Sequence, residues 1–153
     1  MKAVREVVVG VTPEQMMAVI TDFTAYPDHI PHMTKARVLA ETVDSWEVAF
    51  AIHVVRDLEY TLRLVRSELP DGRLRLDWSM VQGVFRSNDG SWTLEAVPEG
   101  TRATYEIALQ IGMFVPRSIQ NTLVRTGLPG TLAAFKGWAE ATPSRPGSAP
   151  AGG

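Results

Sequence analysis

Hydrophobic and polar residues alternate over most of the chain between residues 33 and 112. A period of two with one charged face is typical of antiparallel strands that are wet on one side. Pro, Gly, Asp and Ser residues interrupt the alternation at intervals suited to tight turns. The pattern therefore predicts six strands that pair as successive hairpins. Their predicted bounds are Met33–Thr42, Trp46–Val55, Leu58–Ser67, Arg73–Met80, Val84–Val97 and Thr101–Gly112.

The first part of the chain predicts one more strand and short helical segments. Valine-rich residues predict a strand at Lys2–Val9. Thr12 followed by proline is typical of a helix start, because the threonine can serve as N-cap and proline suits the first helical position. This predicts a short helix, Pro13–Ile20, and the proline-rich segment Asp22–Pro31 is expected to hold about one further helical turn.

A single long helix, Arg117–Glu140, is predicted after the last strand, and Pro129 is expected to kink or split it. Neighbouring strands lie ~4.8 Å apart, whereas a helix with its side chains is ~10–12 Å across. One helix is too narrow to cover a flat sheet of this width, so the sheet is expected to curl around the helix and leave interior space. The sequence thus predicts an α+β fold in which a seven-stranded curved antiparallel sheet wraps around a long C-terminal helix. Such a hollow favours a binding function.

Composition removes several classes of function. A net charge of −2 and a pI near 5.9 argue against a nucleic-acid partner, and the absence of cysteine excludes disulfides, thiolate zinc sites and cysteine nucleophiles. The charged N-terminus does not fit a signal peptide, and no apolar run approaches the ~20 residues of a membrane span. We therefore expect a cytoplasmic protein with one domain, residues 1–141, and a disordered tail, 142–153, rich in Pro, Gly, Ser and Ala.

The three histidines indicate neither a metal site nor a catalytic site. Asp28, His29 and His32 lie close together, but the prolines around them favour an exposed turn over a metal site. His53 has the parity of the charged strand face, and no serine or carboxylate has a specific claim to be near it. No nucleophile elbow, P-loop or dinucleotide-binding motif is present. The sequence predicts no catalytic residue, no metal ligand and no cofactor.

Several segments resemble the START-like polyketide cyclase/dehydrase and coenzyme-Q-binding proteins. The segments that carry the resemblance are Ala25–Pro31, Gln82–Leu94, Gly100–Glu106 and Leu128–Glu140. The resemblance covers about residues 3–140 and departs at His29, where an aromatic or aliphatic residue is usual, and at Val84, where proline is common. It implies the helix-grip fold. The superfamily includes lipid carriers, quinone-binding proteins, aromatase/cyclase enzymes and ribosome-associated toxins, so the fold alone does not fix the function.

The alternation also predicts which side chains face the interior. Large aromatic residues with a polar tip suit a pocket for a flat apolar ligand, although they are equally common in ordinary cores. Counting back from Trp92 in steps of two places Asn88 and Arg86 on the inner face, whereas a β-bulge at Asn88–Gly90 would turn Arg86 outward. Both orientations of Arg86 stay open at this point. The predicted ligand contacts are Trp46, Phe50, Tyr60, Leu62, Trp78, Met80, Arg86, Asn88, Trp92, Tyr105, Ile107, Phe114 and Leu123.

The connection between the last strand and the helix, Gly112–Pro116, is apolar, although loops normally expose polar groups. We predict that it closes over the cavity entrance, with Tyr26 and Ile30 on the opposite rim. The expected function is binding, sequestration or transport of a hydrophobic small molecule, such as a lipid, quinone, isoprenoid or polyketide-like compound. The alternatives are a polyketide aromatase/cyclase or dehydratase, with Arg86, Tyr60 or Tyr105 handling protons, and a ribosome-associated interaction protein. The ligand and the oligomeric state stay open.

Overall fold

The computed structural model of the protein describes residues 2–112, 115–122 and 128–142. Its seven strands are β1 Lys2–Val9, β2 Met33–Glu41, β3 Ser45–Val54, β4 Arg56–Glu68, β5 Leu74–Gly83, β6 Ser87–Val97 and β7 Gly100–Gln110. They form one antiparallel sheet in the order β1-β7-β6-β5-β4-β3-β2, so the strands from β2 to β7 pair as successive hairpins and β1 pairs with β7 at one edge. The predicted sheet is confirmed, and the largest differences are that β5 ends at Gly83 instead of Met80 and that β6 begins at Ser87 instead of Val84.

The first helix, α1 (Pro13–Ile20), has the predicted bounds and the predicted cap. The Thr12 hydroxyl accepts a hydrogen bond from the Gln15 amide (3.1 Å), and the Gln15 side chain accepts one from the Thr12 amide (2.8 Å). This reciprocal capping box satisfies two amide groups that a helix start otherwise leaves unpaired. A 3-10 turn, Phe23–Ala25, and a one-turn helix, α2 (Tyr26–His29), follow where about one helical turn was predicted.

The C-terminal helical region is described as α3 (Arg117–Thr122) and α4 (Leu128–Ala141). Pro129 is the second residue of α4 as described. The residues just before this helix, 123–127, lie outside the described residues, so the predicted kink or split at Pro129 stays a prediction. The helix α4 packs on the inner face of the sheet through Phe135, whose ring lies 5.3 Å from that of Trp92 on β6. No described helix is both long enough and apolar enough to cross a membrane.

The apolar interior is divided into two clusters. The larger one joins α1, α2, α4 and the inner sheet face, and its most deeply buried members include Met16, Phe23 and Leu94. The smaller one lies at the other end of the sheet and includes Val54, Leu109 and Ile119. The molecule has the predicted α+β helix-grip fold, and its interior holds two packed apolar clusters.

Candidate ligand cavity

A cavity of about 210 Å³ lies between the inner face of the sheet and the helices. Its wall includes residues of both apolar clusters. Its rim includes the exposed residues Pro31 and His32, after α2, together with Thr122 on α3 and Thr131 on α4. Within the part of the chain that the structure describes, the lining contains no Asp, Glu, Lys or Arg. The cavity is therefore an apolar space with a few neutral polar groups.

Most of the predicted ligand contacts line this cavity. Those that do are Phe50, Tyr60, Leu62, Trp78, Asn88, Trp92, Tyr105 and Ile107. Their role in binding stays a prediction, but the alternation placed them correctly on the inner face. Phe114 and Leu123 lie outside the described residues, as does Met113 of the predicted lid. Val115, from the same connection, is buried in the smaller cluster.

Trp46 and Met80 face the interior but are not part of the cavity wall. Trp46 packs against the larger apolar cluster, where its ring lies edge-on to Phe23 at 5.5 Å. Met80 is half-buried and packs against both apolar clusters. Alternation predicts which face of the sheet a side chain lies on. Its position along the strand decides whether that side chain lines the cavity or packs against another side chain.

The prediction that Arg86 is a ligand contact on the inner face is wrong. Val84–Arg86 forms a bend before β6, and Phe85 is the residue of that bend that is buried and lines the cavity. The Arg86 side chain is exposed, while its backbone amide donates to the Gln110 carbonyl (2.8 Å). Period-two parity holds from Trp92 back to Asn88 and ends with the strand at Ser87.

Aromatic rings form much of the cavity wall. Phe50 stands between Tyr26 and Tyr60, with ring centroids 5.8 Å and 5.5 Å away and interplanar angles of 28° and 29°. On the other side, Tyr105 packs against Trp78 at 5.4 Å and against Trp92 at 4.8 Å. Near-parallel rings on one side and tilted rings on the other suit a flat apolar ligand.

The three tyrosines of the chain all line the cavity, but their hydroxyls differ. The Tyr26 hydroxyl donates to the Ile20 carbonyl at the end of α1. The hydroxyls of Tyr60 and Tyr105 have no hydrogen-bond partner among the described residues. Because no described side-chain nitrogen or oxygen is both sealed off and unpaired, these two oxygens are open to the cavity.

Burial controls the ionisation of these phenols. It raises the pKa of Tyr26, Tyr60 and Tyr105 well above the ordinary value, because a phenolate would lose its hydration. A charge on Tyr105 would raise the pKa of the other two further. Tyr60 and Tyr105 are half-buried by accessible area, and both line the cavity. All three therefore stay neutral at physiological pH.

Asn88 is the buried polar residue of the cavity, and Trp78 fixes its orientation. The indole Nε1–H of Trp78 donates to Asn88 Oδ1 at 3.1 Å. An indole nitrogen only donates, so the carboxamide must turn its oxygen toward Trp78 and its NH₂ group away. Gly90 makes this possible, because a Cβ there would lie 2.4 Å from Cζ2 of Trp78 and 2.3 Å from the Glu106 carbonyl oxygen.

His29 and His53 make side-chain contacts that were not predicted from the sequence. His29 stacks on Trp138 of α4, with centroids 4.2 Å apart and an interplanar angle of 6°. His53 does have a carboxylate neighbour, contrary to expectation, since its Nδ1 lies 2.8 Å from Asp57 Oδ1. Both residues of that pair are exposed, and neither lines the cavity. The described residues contain no cluster of three or more potential metal-ligating His, Asp or Glu.

Some cavity residues were missed as ligand contacts. Tyr26 and Ile30 were expected only at the rim, and Phe135 only as a core residue of the helix. Phe85 was missed because the predicted strand ran through the bend, which reversed its parity. His32 was read as part of an exposed turn; it has φ = 68° and is exposed, yet it borders the opening. Helical spacing could have found Phe135, whereas no sequence signal marks His32.

Comparison with known families decides the assignment. Residues 9–136 match the family described as polyketide cyclase / dehydrase and lipid transport. The chain belongs to this family. It is a member of the START-like superfamily, as the sequence resemblance implied. No curated protein matches the chain.

Solved structures of START-like proteins share the fold at low identity. A STAR-related lipid transfer protein from Xanthomonas axonopodis is 17% identical, with a TM-score of 0.81 over 90% of this chain and 85% of that one. The Zhui aromatase/cyclase from Streptomyces sp. R1128 is 18% identical, with a TM-score of 0.73 over 92% and 93%. A START superfamily protein from Mycobacterium smegmatis is 16% identical, with a TM-score of 0.70 over 91% and 97%. At these identities the likeness shows the fold alone.

Proposed function

We propose that this protein binds a hydrophobic small molecule in the cavity and sequesters or carries it. The observation that carries the proposal is the 210 Å³ space between sheet and helices, walled by aromatic and aliphatic side chains. Removing apolar surface from water is worth ~25 cal/mol per Å², before the costs of association. A partly hollow core also forfeits packing contacts, which a bound ligand restores. A cytoplasmic location stays a prediction.

The size of the cavity limits the ligand. A cavity of ~150 Å³ holds a benzene molecule, whereas sites for drug-sized ligands occupy ~300–1,000 Å³. At about 210 Å³, this space suits one or two fused rings, or the ring end of a quinone or isoprenoid. A complete lipid or an extended polyketide would need the helices to move away from the sheet.

Native mass spectrometry of the purified protein tests the proposal, together with binding of the neutral fluorescent probe N-phenylnaphthylamine. We expect a co-purified small molecule or saturable probe binding in the wild type. Ile107→Trp fills the cavity and should weaken probe binding at least tenfold. The matched control Val65→Trp places the same ring on the outer face, where Val65 is 37% exposed, and should bind the probe normally. Equal binding by both variants, or none by the wild type, would contradict the proposal.

A polyketide cyclase or dehydratase is the second candidate. It is favoured by the unpaired hydroxyls of Tyr60 and Tyr105, which face the same space as a bound ligand. Their neutral form at physiological pH suits donation of a hydrogen bond or proton better than acceptance of a proton. The exposed position of Arg86 removes the third group that was expected to take part. Turnover of a linear polyketide mimic that is lost in Tyr60→Phe or Tyr105→Phe would support this candidate.

A further inference from the structure

The cavity contains hydrogen-bonding groups that the described residues do not use. These are the hydroxyls of Tyr60 and Tyr105 and the NH₂ group of Asn88, and all three residues line the space. None of these atoms is sealed off, so each can meet a guest inside the cavity. An unpaired buried polar group is costly, and such groups in a native interior call for a partner. Either ligand atoms or water molecules must supply it.

The polarity of these groups is set by the structure. Asn88 uses its carboxamide oxygen to accept from Trp78, which leaves only hydrogen-bond donors on the NH₂ group. The Trp78 ring also packs against Tyr105, at 5.4 Å, so the indole links the amide and this phenol. Burial keeps the phenols protonated, and each can donate as well. The free Asn88 NH₂ group therefore offers donors only, and all three side chains can donate to an oxygen of a ligand.

The described lining of the cavity has no permanently charged side chain, and besides the phenols its one ionisable group is the imidazole of the exposed His32 at the opening. Its described lining has no Lys or Arg to neutralise an anion and no Asp or Glu to neutralise a cation. An ion transferred into an apolar space without a counter-charge loses far more solvation energy than neutral donors can return. A free carboxylate, phosphate or ammonium is therefore a poor guest, whereas an uncharged oxygen with lone pairs is a good one.

We propose that the ligand is an uncharged, ring-containing compound with a carbonyl oxygen, which accepts hydrogen bonds from the Asn88 NH₂ group and the Tyr105 hydroxyl while its rings pack on the aromatic wall. Tyr60 provides a second phenol for another oxygen of the same molecule. This inference rests on the proposed binding function and adds the chemical class of the ligand. The role of Trp78 is to position the amide.

Two probes of the same skeleton test the inference: α-tetralone, a bicyclic ketone, and tetralin, its hydrocarbon. Their affinities are measured by displacement of N-phenylnaphthylamine from the full-length protein. Asn88→Leu keeps the approximate side-chain volume and removes the donor. It should weaken α-tetralone about tenfold, or ~1.4 kcal/mol, and leave tetralin unchanged or tighter. The control Asp89→Leu places the same side chain at the adjacent exposed position of β6 and should change neither affinity.

A second variant is needed because Asn88→Leu also removes the acceptor of the Trp78 N–H and can therefore impair folding. Tyr105→Phe breaks no hydrogen bond within the described residues, so its fold should be retained. It should weaken α-tetralone three- to tenfold without weakening tetralin. Tetralin-carboxylate, the charged analogue, should bind the wild type at least tenfold more weakly than α-tetralone.

The outcomes separate this inference from the proposed function. Suppose that α-tetralone and tetralin both bind the wild type, and that the ratio of their affinities is unchanged from wild type in Asn88→Leu and in Tyr105→Phe. The donors then bind only water, so the inference fails while the binding function stands. Tighter binding of the carboxylate than of the ketone would also overturn it. If neither probe nor N-phenylnaphthylamine binds the wild type, both proposals fail together.

Discussion

Alkaline pH should unfold this protein through its tyrosines. All three tyrosines of the chain line the cavity, and burial raises the pKa of each above the ordinary value of a phenol. The folded protein therefore keeps protons that the unfolded chain releases near pH ~10. A raised folded-state pKa contributes stability that is complete below the unfolded pKa. That stability is lost as the pH rises toward the folded value.

The expected size of the effect follows from linkage. Each phenol that is protonated only in the folded state lowers the free energy of unfolding by ~1.4 kcal/mol per pH unit above its unfolded pKa. Three such groups together give ~4 kcal/mol at pH ~11, which is a large part of the ~5–15 kcal/mol that stabilises an ordinary domain. Ionisation of the phenols and loss of the fold should therefore occur together, above pH ~11.

A spectroscopic titration tests this expectation. Tyrosinate absorbance reports only on the cavity, because no tyrosine lies elsewhere in the chain. Far-ultraviolet circular dichroism, followed on the same samples, reports the sheet. Tyr60→Phe and Tyr105→Phe should each reduce the pH dependence of the unfolding free energy by about a third. If the tyrosines ionise near pH ~10 while the circular dichroism is unchanged, bulk water reaches the phenols and the reasoning is refuted.

Three further predictions, which use four substitutions, are tested by urea denaturation and probe binding. Tyr26→Phe removes a hydroxyl that donates to a buried carbonyl and should cost ~1–3 kcal/mol, whereas Tyr105→Phe should stay within ~0.5 kcal/mol; equal costs would contradict the different hydrogen bonding of the two phenols. Gly90→Ala places a methyl group 2.4 Å from a Trp78 ring carbon and should cost ~1–3 kcal/mol; a neutral effect would show that the ring does not lie across the glycine. Arg86→Ala, at an exposed position, should change stability by less than ~0.5 kcal/mol and leave probe binding intact; a large loss of binding would restore Arg86 as a ligand contact.

The sequence was sufficient to predict the strands of the sheet, because each strand has one face in contact with solvent. A register error of one residue would bury charged residues such as Arg63 and Glu106, so the pattern of charges specifies which residues face inward. The cap of α1 was also predictable, since Thr12 followed by Pro13 is typical of the start of a helix. These features depend on residues close together in the chain.

The cavity wall was harder to predict because it depends on distances between elements. The inward parity of Trp46 was correct, but Phe23 from a distant turn occupies the space beside it. Parity failed at Arg86 because a bend at Val84–Arg86 interrupts the strand, and nothing in the alternation marks that bend. The free phenols could not be found from sequence at all, because the hydrogen-bond partner of Tyr26 is a backbone carbonyl and the other two have none among the described residues.

The pairing of β1 with β7 has a consequence for how the chain folds. Lys2 lies opposite Ala108 and Val9 lies opposite Thr101, so the first strand of this sheet in chain order pairs with the last. Such distant pairings slow folding, because a long loop must close before they contribute. During synthesis, the hairpins from β2 to β7 can assemble while β1 waits without a partner. Loss of the first nine residues would expose the edge of β7, and an uncovered edge strand is a site for aggregation.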